Sequence, residues 1–494
     1  NQLTPAQLWR KARVALDAGR PRAARQAVGL VSATAVAAYD DLVDSPARYL
    51  TRNPTAAGRT QAELASLALV RMAGNDPDAA AVLLNARWEK ALPADLAAWS
   101  WGGVAKQAAL KLQPEAADYY VRADKAAARS STDVGWTDDT LAWKVRAALR
   151  ADGGRGRWQQ VMQGIEAMSA SEQREPAWVY WKARALQVLS RESQDGEALR
   201  TMGRELLASL VGQLHFYGTL AAEDTSQALK LPARPAPLTT AELDAAAANP
   251  GLGRALQLIA IGLRNEGVRE WNYSLRGMGD RELLAAAQLA CTREVWDRCI
   301  NTSERTKAEV DIDQRFPTPF RQEVSARARE IGLDPAYVYG LIRQESRFIM
   351  DARSGVGASG LMQIMPSTAR WTAKKIGFAY TPGAITDRDT NLRLGTAYLK
   401  LVLDDFGGSQ PLAAAAYNAG PGRPRKWREG PVLEPAVWAE NIPFPETRDY
   451  VKKVLNNATL YAAVLGDAGT ALKPRLGRSI GPADPASVSD RDLP

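Results

Sequence analysis

The chain has 494 residues, 46% of them hydrophobic and 24% charged, with a net charge of +8 and a pI near 9.4. That length exceeds one ordinary core and implies two to four domains of a soluble globular type. One histidine and two cysteines exclude a three-histidine zinc site, and no apolar run is long enough to span a bilayer.

The opening residues, NQLTPAQLW, lack the charged and apolar regions of a signal peptide. Residues 1–235 are alanine-rich and read as helix after helix, broken at Asn75-Asp76-Pro77, Gly153-Gly154 and Gly156. WKVRAAL at 143–149 is echoed by WKARALQ at 181–187, a spacing of 38, close to the period of helix-pair repeats. Together these features predict a helical solenoid whose tryptophans are core residues. His215, in LVGQLHFYGTL, is expected inside a helix as a packed structural residue. A Ser-His-Asp or Cys-His site would depend on it alone, so any chemistry is expected to use carboxylates.

KLPARPAPL at 230–238 holds three prolines and marks a boundary near 235. A smaller helical segment follows over 236–308. It contains Cys291 and Cys299, eight residues apart. In one continuous helix they would lie ~12 Å apart, too far to bridge. A turn at Thr292-Arg293-Glu294 would let them form a disulfide, which implies an oxidising compartment. Two free thiols are the alternative. QRFPTPF at 314–320 breaks the pattern again, and 309–494 is expected to be a third unit with an irregular tail from Lys473.

The third unit opens on a helix signal, Asp334-Pro335, an N-cap followed by proline at the first helical position. Val338, Leu341, Ile342, Phe348 and Ile349 then recur at helical spacing, and Glu345 shares their face. A carboxyl on an apolar stripe is pushed towards its protonated form, the state a general acid needs. The plainer reading is a glutamate at the stripe's edge, reaching water or an arginine. Three more stretches stand out: SGVGASGLMQIMP (354–366), AAAAYNAGPG (413–422) and IPFPETRDYV (442–451). Taken singly, the glycines read as turns, Tyr417 as core, and Glu446 as an acid favouring a helix start.

In this order the stretches resemble the soluble lytic transglycosylases of bacterial cell walls. That family's pattern is ES, GxxGLMQxMPxTA, AYNAGPG and PETRxYV, and the motifs cover residues from about 330 to 460. The resemblance implies a mainly all-α protein: a helical superhelix over 1–235, a helical linker domain over 236–308, and a lysozyme-like catalytic domain over 309–494. The superhelix closes into a ring in the family's large members, and this first segment is shorter than theirs. Glu345 matches the catalytic acid. Ser354, Gln363, Met365, Tyr417, Asn418 and Glu446 match substrate-binding positions.

The implied reaction cuts the β-1,4 bond between N-acetylmuramic acid and N-acetylglucosamine in peptidoglycan. Glu345 serves as acid and then base, a 1,6-anhydro ring closes, and no metal or cofactor takes part. The implied setting is the bacterial periplasm, after removal of a signal peptide; soluble and outer-membrane-associated forms look alike in sequence. Glycan strands are the expected partner, the superhelix would meet other cell-wall enzymes, and a monomer is expected. The basic charge favours a polyanionic partner, or simply aids solubility. With no zinc-finger or leucine-zipper spacing, nucleic acid is not expected. Arg423, Arg425, Lys426 and Arg428 read as a solvated loop. Two rivals are a hydrolysing muramidase, with Asp351, Asp387, Asp389 or Glu446 as second carboxylate, and a non-catalytic cell-wall scaffold.

Overall fold

The computed structural model describes residues 3–191, 194–467, 469–484 and 492–494. Among them the chain is mainly helical, and its β features are isolated bridges such as Arg353 to Ser359 and Ser359 to Ile364. Packing divides it into two compact units. The first is 1–206 together with 430–443; the second is 207–429 together with 444–494.

In the first unit, helices pack mainly on their sequence neighbours, as in a solenoid. Local chemistry sets their starts. Proline opens the helices Pro5–Asp17, Pro21–Val31, Pro46–Arg52, Pro77–Leu83 and Pro176–Leu189, where its missing N–H has no intrahelical partner to lose. Asp76 caps Pro77–Leu83 by accepting the Ala79 N–H at 3.0 Å. Gly153, Gly154 and Gly156 all take positive φ at the break that sequence placed there.

The two echoed stretches lie in the helices Asp138–Arg150 and Pro176–Leu189, with Trp143 and Trp181 buried. Their equivalent arginines bind the same segment. Arg146 donates from Nε (3.1 Å) and Nη2 (3.0 Å) to Glu440, and Arg184 forms a fork of two 3.0 Å bonds to Glu434. Arg146 is also held between the rings of Trp143 and Trp178, at 4.9 and 5.2 Å. The segment brings Leu433, Ala436, Val437, Trp438, Ala439 and Ile442 into the core. Composition assigns 430–443 to the third sequence segment, yet it packs in the first unit.

In the second unit, the linker helices are tied at both ends. Arg281 binds Glu242 (2.8 Å), Glu309 (3.1 Å) and the carbonyls of Ala236 and Pro237, so it grips the proline-rich stretch. The Asp280 carboxylate accepts the backbone N–H groups of Lys307, Ala308 and Glu309. Helix Asp280–Thr292 turns at Glu294 into helix Trp296–Ser303, and Cys291 and Cys299 are disulfide-bonded across that turn. The free-thiol alternative is therefore set aside.

Three readings of the sequence are corrected. His215 does not lie inside a helix. It is the N-cap of Phe216–Asp224: its Nδ1 accepts the Gly218 N–H at 3.0 Å, and its Nε2 faces Gln213 Oε1 at 2.8 Å. The basic cluster is not a solvated loop but a short helix, Gly422–Trp427, and its flank. There Arg425 pairs with Asp405 (2.7 Å) and Arg428 donates to the Gly481 carbonyl (2.6 Å). The tail is not irregular from Lys473, because Leu472–Leu476 is helical and buries Leu472 and Leu476. Arg475 binds Asp334 at 2.5 Å. Beyond that helix the described residues 477–484 and 492–494 carry no helix, and residues 485–491 lie outside the described residues.

Candidate active site

The helix Pro335–Glu345 begins as sequence predicts, with Asp334 Oδ1 accepting the Ala336 N–H at 2.8 Å. Val338, Leu341 and Ile342 are fully buried. Gly340 lets the long helix Pro445–Leu465 approach; a Cβ there would lie 2.7 Å from Ala458 N. The helix does not run on to Phe348 and Ile349 as the stripe suggests, but ends at Glu345. Arg347 (φ 49°) and Phe348 (φ 66°) are left-handed. Ser346 holds that reversal, its Oγ donating to the Leu361 carbonyl at 2.7 Å and accepting the Phe348 N–H at 3.1 Å.

Glu345 therefore stands at a helix C-terminus, half-buried. Burial pushes its pKa up to about 8, and the negative charge of Glu446 adds to the rise. The helix C-terminus acts in the same direction. One group opposes them: Tyr450 Oη donates to Glu345 Oε1 at 2.5 Å, which favours the carboxylate. Tyr450 is itself held well above its ordinary pKa, first by burial and then by Glu345, so it stays a donor. The site thus holds an acid that keeps its proton at neutral pH, together with a fixed donor that receives the anion once the proton leaves.

The expected substrate-binding residues divide into two groups. Tyr417 and Glu446 are coupled to Glu345 through its charge, and Tyr417 Oη donates to the Met362 carbonyl at 2.8 Å. Asn418 Oδ1 accepts from Thr447 Oγ1 at 2.7 Å, tying the AYNAGPG helix, Gln410–Ala419, to the PETR helix, Pro445–Leu465. Ser354, Gln363 and Met365 belong to the glycine-rich loop. Ser354 Oγ accepts the Ala358 N–H at 3.0 Å. Gln363, at φ 47°, uses Nε2 to bind the Ala352 (3.0 Å) and Gly360 (2.8 Å) carbonyls. Met365 is 37% exposed at the start of the helix Pro366–Lys375. Among the described residues no hydrogen bond joins these three to Glu345.

The other acids considered as second carboxylates are engaged or peripheral. Asp387 caps its own helix at Thr390 N (2.9 Å), and Asp389 pairs with Arg388 (2.8 Å). Asp351 is exposed and lines, with Asp387, a cavity of about 600 Å³. Among the described residues no group of three or more His, Cys, Asp or Glu side chains is placed to hold a metal, and no helix is long and apolar enough to cross a membrane.

Tyr450 is the residue that sequence reasoning missed. It stands inside the quoted PETRDYV, four residues after Glu446, and that spacing on a helix signals a shared face. Tyr450→Phe removes the donor that favours the carboxylate. We expect the alkaline limb of the activity profile to move to higher pH and turnover to fall, read as kcat against pH. An unchanged limb would mean that Tyr450 has no part in setting the acid.

A model of the transglycosylase SLT domain matches residues 323–431, one of the soluble lytic murein transglycosylase L domain matches 245–308, and one of the soluble lytic transglycosylase helical domain matches 441–469. The structure of an inactive mutant of lytic transglycosylase Slt from Pseudomonas aeruginosa is 30% identical at a TM-score of 0.77, covering 97% of this chain and 76% of that one. This chain belongs to the soluble lytic transglycosylase family. The 70 kDa soluble lytic transglycosylase of Escherichia coli superposes at a TM-score of 0.70 with 27% identity, over 96% of this chain and 74% of that one. The curated soluble lytic murein transglycosylase of Escherichia coli K12 is 32% identical over 308 residues, 61% of this chain. This family member spans about half the length of the curated relatives it matches, 46% of that one. Its fold is that of the family, a helical superhelix with a lysozyme-like domain.

Proposed function

We propose that this chain is a lytic murein transglycosylase. It cleaves the β-1,4 bond between N-acetylmuramic acid and N-acetylglucosamine in peptidoglycan and leaves a 1,6-anhydromuramic end. The observation that carries the reading is Glu345: one carboxyl with its pKa pushed up to about 8, met by a tyrosine donor at 2.5 Å. Most glycosidases divide the work between two carboxylates. Here Glu345 gives its proton to the leaving glycosidic oxygen while the substrate's N-acetyl group supports the positive centre. The resulting carboxylate, held by Tyr450, then takes the proton from the O6 hydroxyl. O6 closes on the anomeric carbon, and no water enters. Ser354, Gln363, Met365, Tyr417, Asn418 and Glu446 contact the glycan in this reading.

Several features support it. The relatives are named as murein transglycosylases, and a related structure is a complex with bulgecin A. The disulfide suits an oxidising compartment such as the periplasm. Glycan strands are the partner, and the helical unit is a surface for other cell-wall enzymes. The test is mass spectrometry of fragments released from purified peptidoglycan. Products one water lighter than hydrolysis products, with no reducing end, are expected. Reducing ends would mean that water attacks, as in a muramidase. No release from a folded, wall-bound protein would leave a scaffold.

A further inference from the structure

Asn391 lies in the first turns of the helix Arg388–Asp405 and is fully buried. It belongs to none of the four motif stretches. Its side chain makes three hydrogen bonds, all to backbone. Oδ1 accepts the Met362 N–H at 2.8 Å; Nδ2 donates to the carbonyls of Ser359 at 2.9 Å and Ile385 at 2.7 Å. The amide therefore supplies the glycine-rich loop with the donor and acceptor that a neighbouring strand would give. The fit is close. A Cβ at Gly360, where φ is +80°, would lie 2.2 Å from Asn391 Nδ2. One turn along the same helix face, a Cβ at Gly395 would lie 2.5 Å from Met362 Sδ.

What this loop holds decides the meaning of the contact. The Leu361 carbonyl accepts from Ser346, the residue next to Glu345. The Met362 carbonyl accepts from Tyr417, whose ring lies in the field of Glu345. Two successive peptide groups thus face Ser346 and Tyr417, and Asn391 grips the first of these groups at the Met362 N–H and the chain just before it at the Ser359 carbonyl.

We propose that Asn391 is a positioning residue for the acid–base step: by fixing the backbone from Ser359 to Met362 it sets Ser346 and Tyr417 around Glu345. This rests on the transglycosylase reading above. No other side chain of similar size does the same work. Aspartate would turn an oxygen towards two carbonyls, and leucine would take away the partner of the Met362 N–H and of the Ile385 carbonyl and one of the two donors to the Ser359 carbonyl.

The test compares wild type, Asn391→Ala and Asn391→Asp on purified peptidoglycan across pH. Val402→Ala is the control, a buried site about 16 Å further along the same helix. Asn391→Ala is expected to lose about 10²-fold in kcat with KM little changed, the scale of a small misplacement of reacting groups. Its alkaline limb should move to lower pH, because a loosened loop admits water to Glu345; Tyr450→Phe moves it the other way. Asn391→Asp keeps the Met362 bond and should fall between. The carbon-13 titration of the Glu345 carboxyl, assigned by its loss in Glu345→Gln, reads the same shift without turnover. Wild-type kcat and an unmoved limb in Asn391→Ala would overturn the proposal. So would a loss that Val402→Ala reproduces at equal stability with no shift of the limb. If Asn391→Ala does not fold, the limb and carboxyl titration of Asn391→Asp decide by the same criteria. An inactive wild type would sink the transglycosylase reading instead, and the carboxyl titration would still decide the role of Asn391.

Discussion

Glu345→Gln is expected to abolish muropeptide release and to stabilise the fold at neutral and alkaline pH. The amide keeps the shape and can accept from Tyr450, but it has no proton to give to a leaving oxygen and cannot take one from O6. General acid–base groups contribute about 10²–10⁴-fold each, and here one group serves both steps, so the loss should reach or exceed the upper end. The stability change follows from the raised pKa. The folded protein holds the Glu345 proton up to about pH 8, whereas an unfolded glutamate loses it near its ordinary value of 4.5. Between those values the folded state binds the extra proton, so stability is fully present below the lower one and falls as pH rises through the upper. The glutamine variant lacks that decline. Its advantage over wild type should grow from about pH 4.5 to 8 and then level off. Denaturant midpoints across pH measure it, and parallel curves for the two proteins would contradict the pKa assignment. Persistent wall cleavage by the variant would contradict the catalytic one.

Arg146→Ala is expected to destabilise the first unit strongly. Arg146 and Glu440 are both buried, with side chains 7% and 1% exposed. Removing the cation leaves a carboxylate in a dry site, which typically costs about 3–5 kcal/mol. The equivalent pair one repeat later, Arg184 with Glu434, is 21% and 43% exposed. Water already screens it, so Arg184→Ala should cost only about 0–1 kcal/mol beyond lost packing. The contrast isolates burial, since both arginines stack on aromatic rings and both bind the same segment. Two compact units need not unfold together, so a single midpoint is a poor measure. Hydrogen exchange at residues 430–443 reads the effect directly, with fast exchange in Arg146→Ala and near-normal exchange in Arg184→Ala. Replacing both partners, Arg146→Met with Glu440→Leu, should recover most of the loss. Equal effects from the two single variants would show that the repeat position matters more than burial.

Short-range chemistry can be read along the chain. Asp334-Pro335 starts the Glu345 helix because a carboxylate can meet N-terminal N–H groups and proline loses no bond there. The breaks at Asn75-Asp76-Pro77 and Gly153-Gly154 are equally local, and helical spacing in an alanine-rich chain made the all-α class legible. The motif order gave the family, and with it Glu345. Partners far apart in sequence set the rest. No glycine or proline ends the Glu345 helix; Ser346 reaches Leu361 instead, and a periodicity argument runs past that point. The acid's pKa is set by burial and by Glu446 and Tyr450, about a hundred residues on. Segment 430–443 reads as part of the catalytic stretch, yet its charges meet arginines some 250 to 290 residues earlier. Asn391 carries no local signal, because its partners are peptide groups, which every residue has and no spacing reveals.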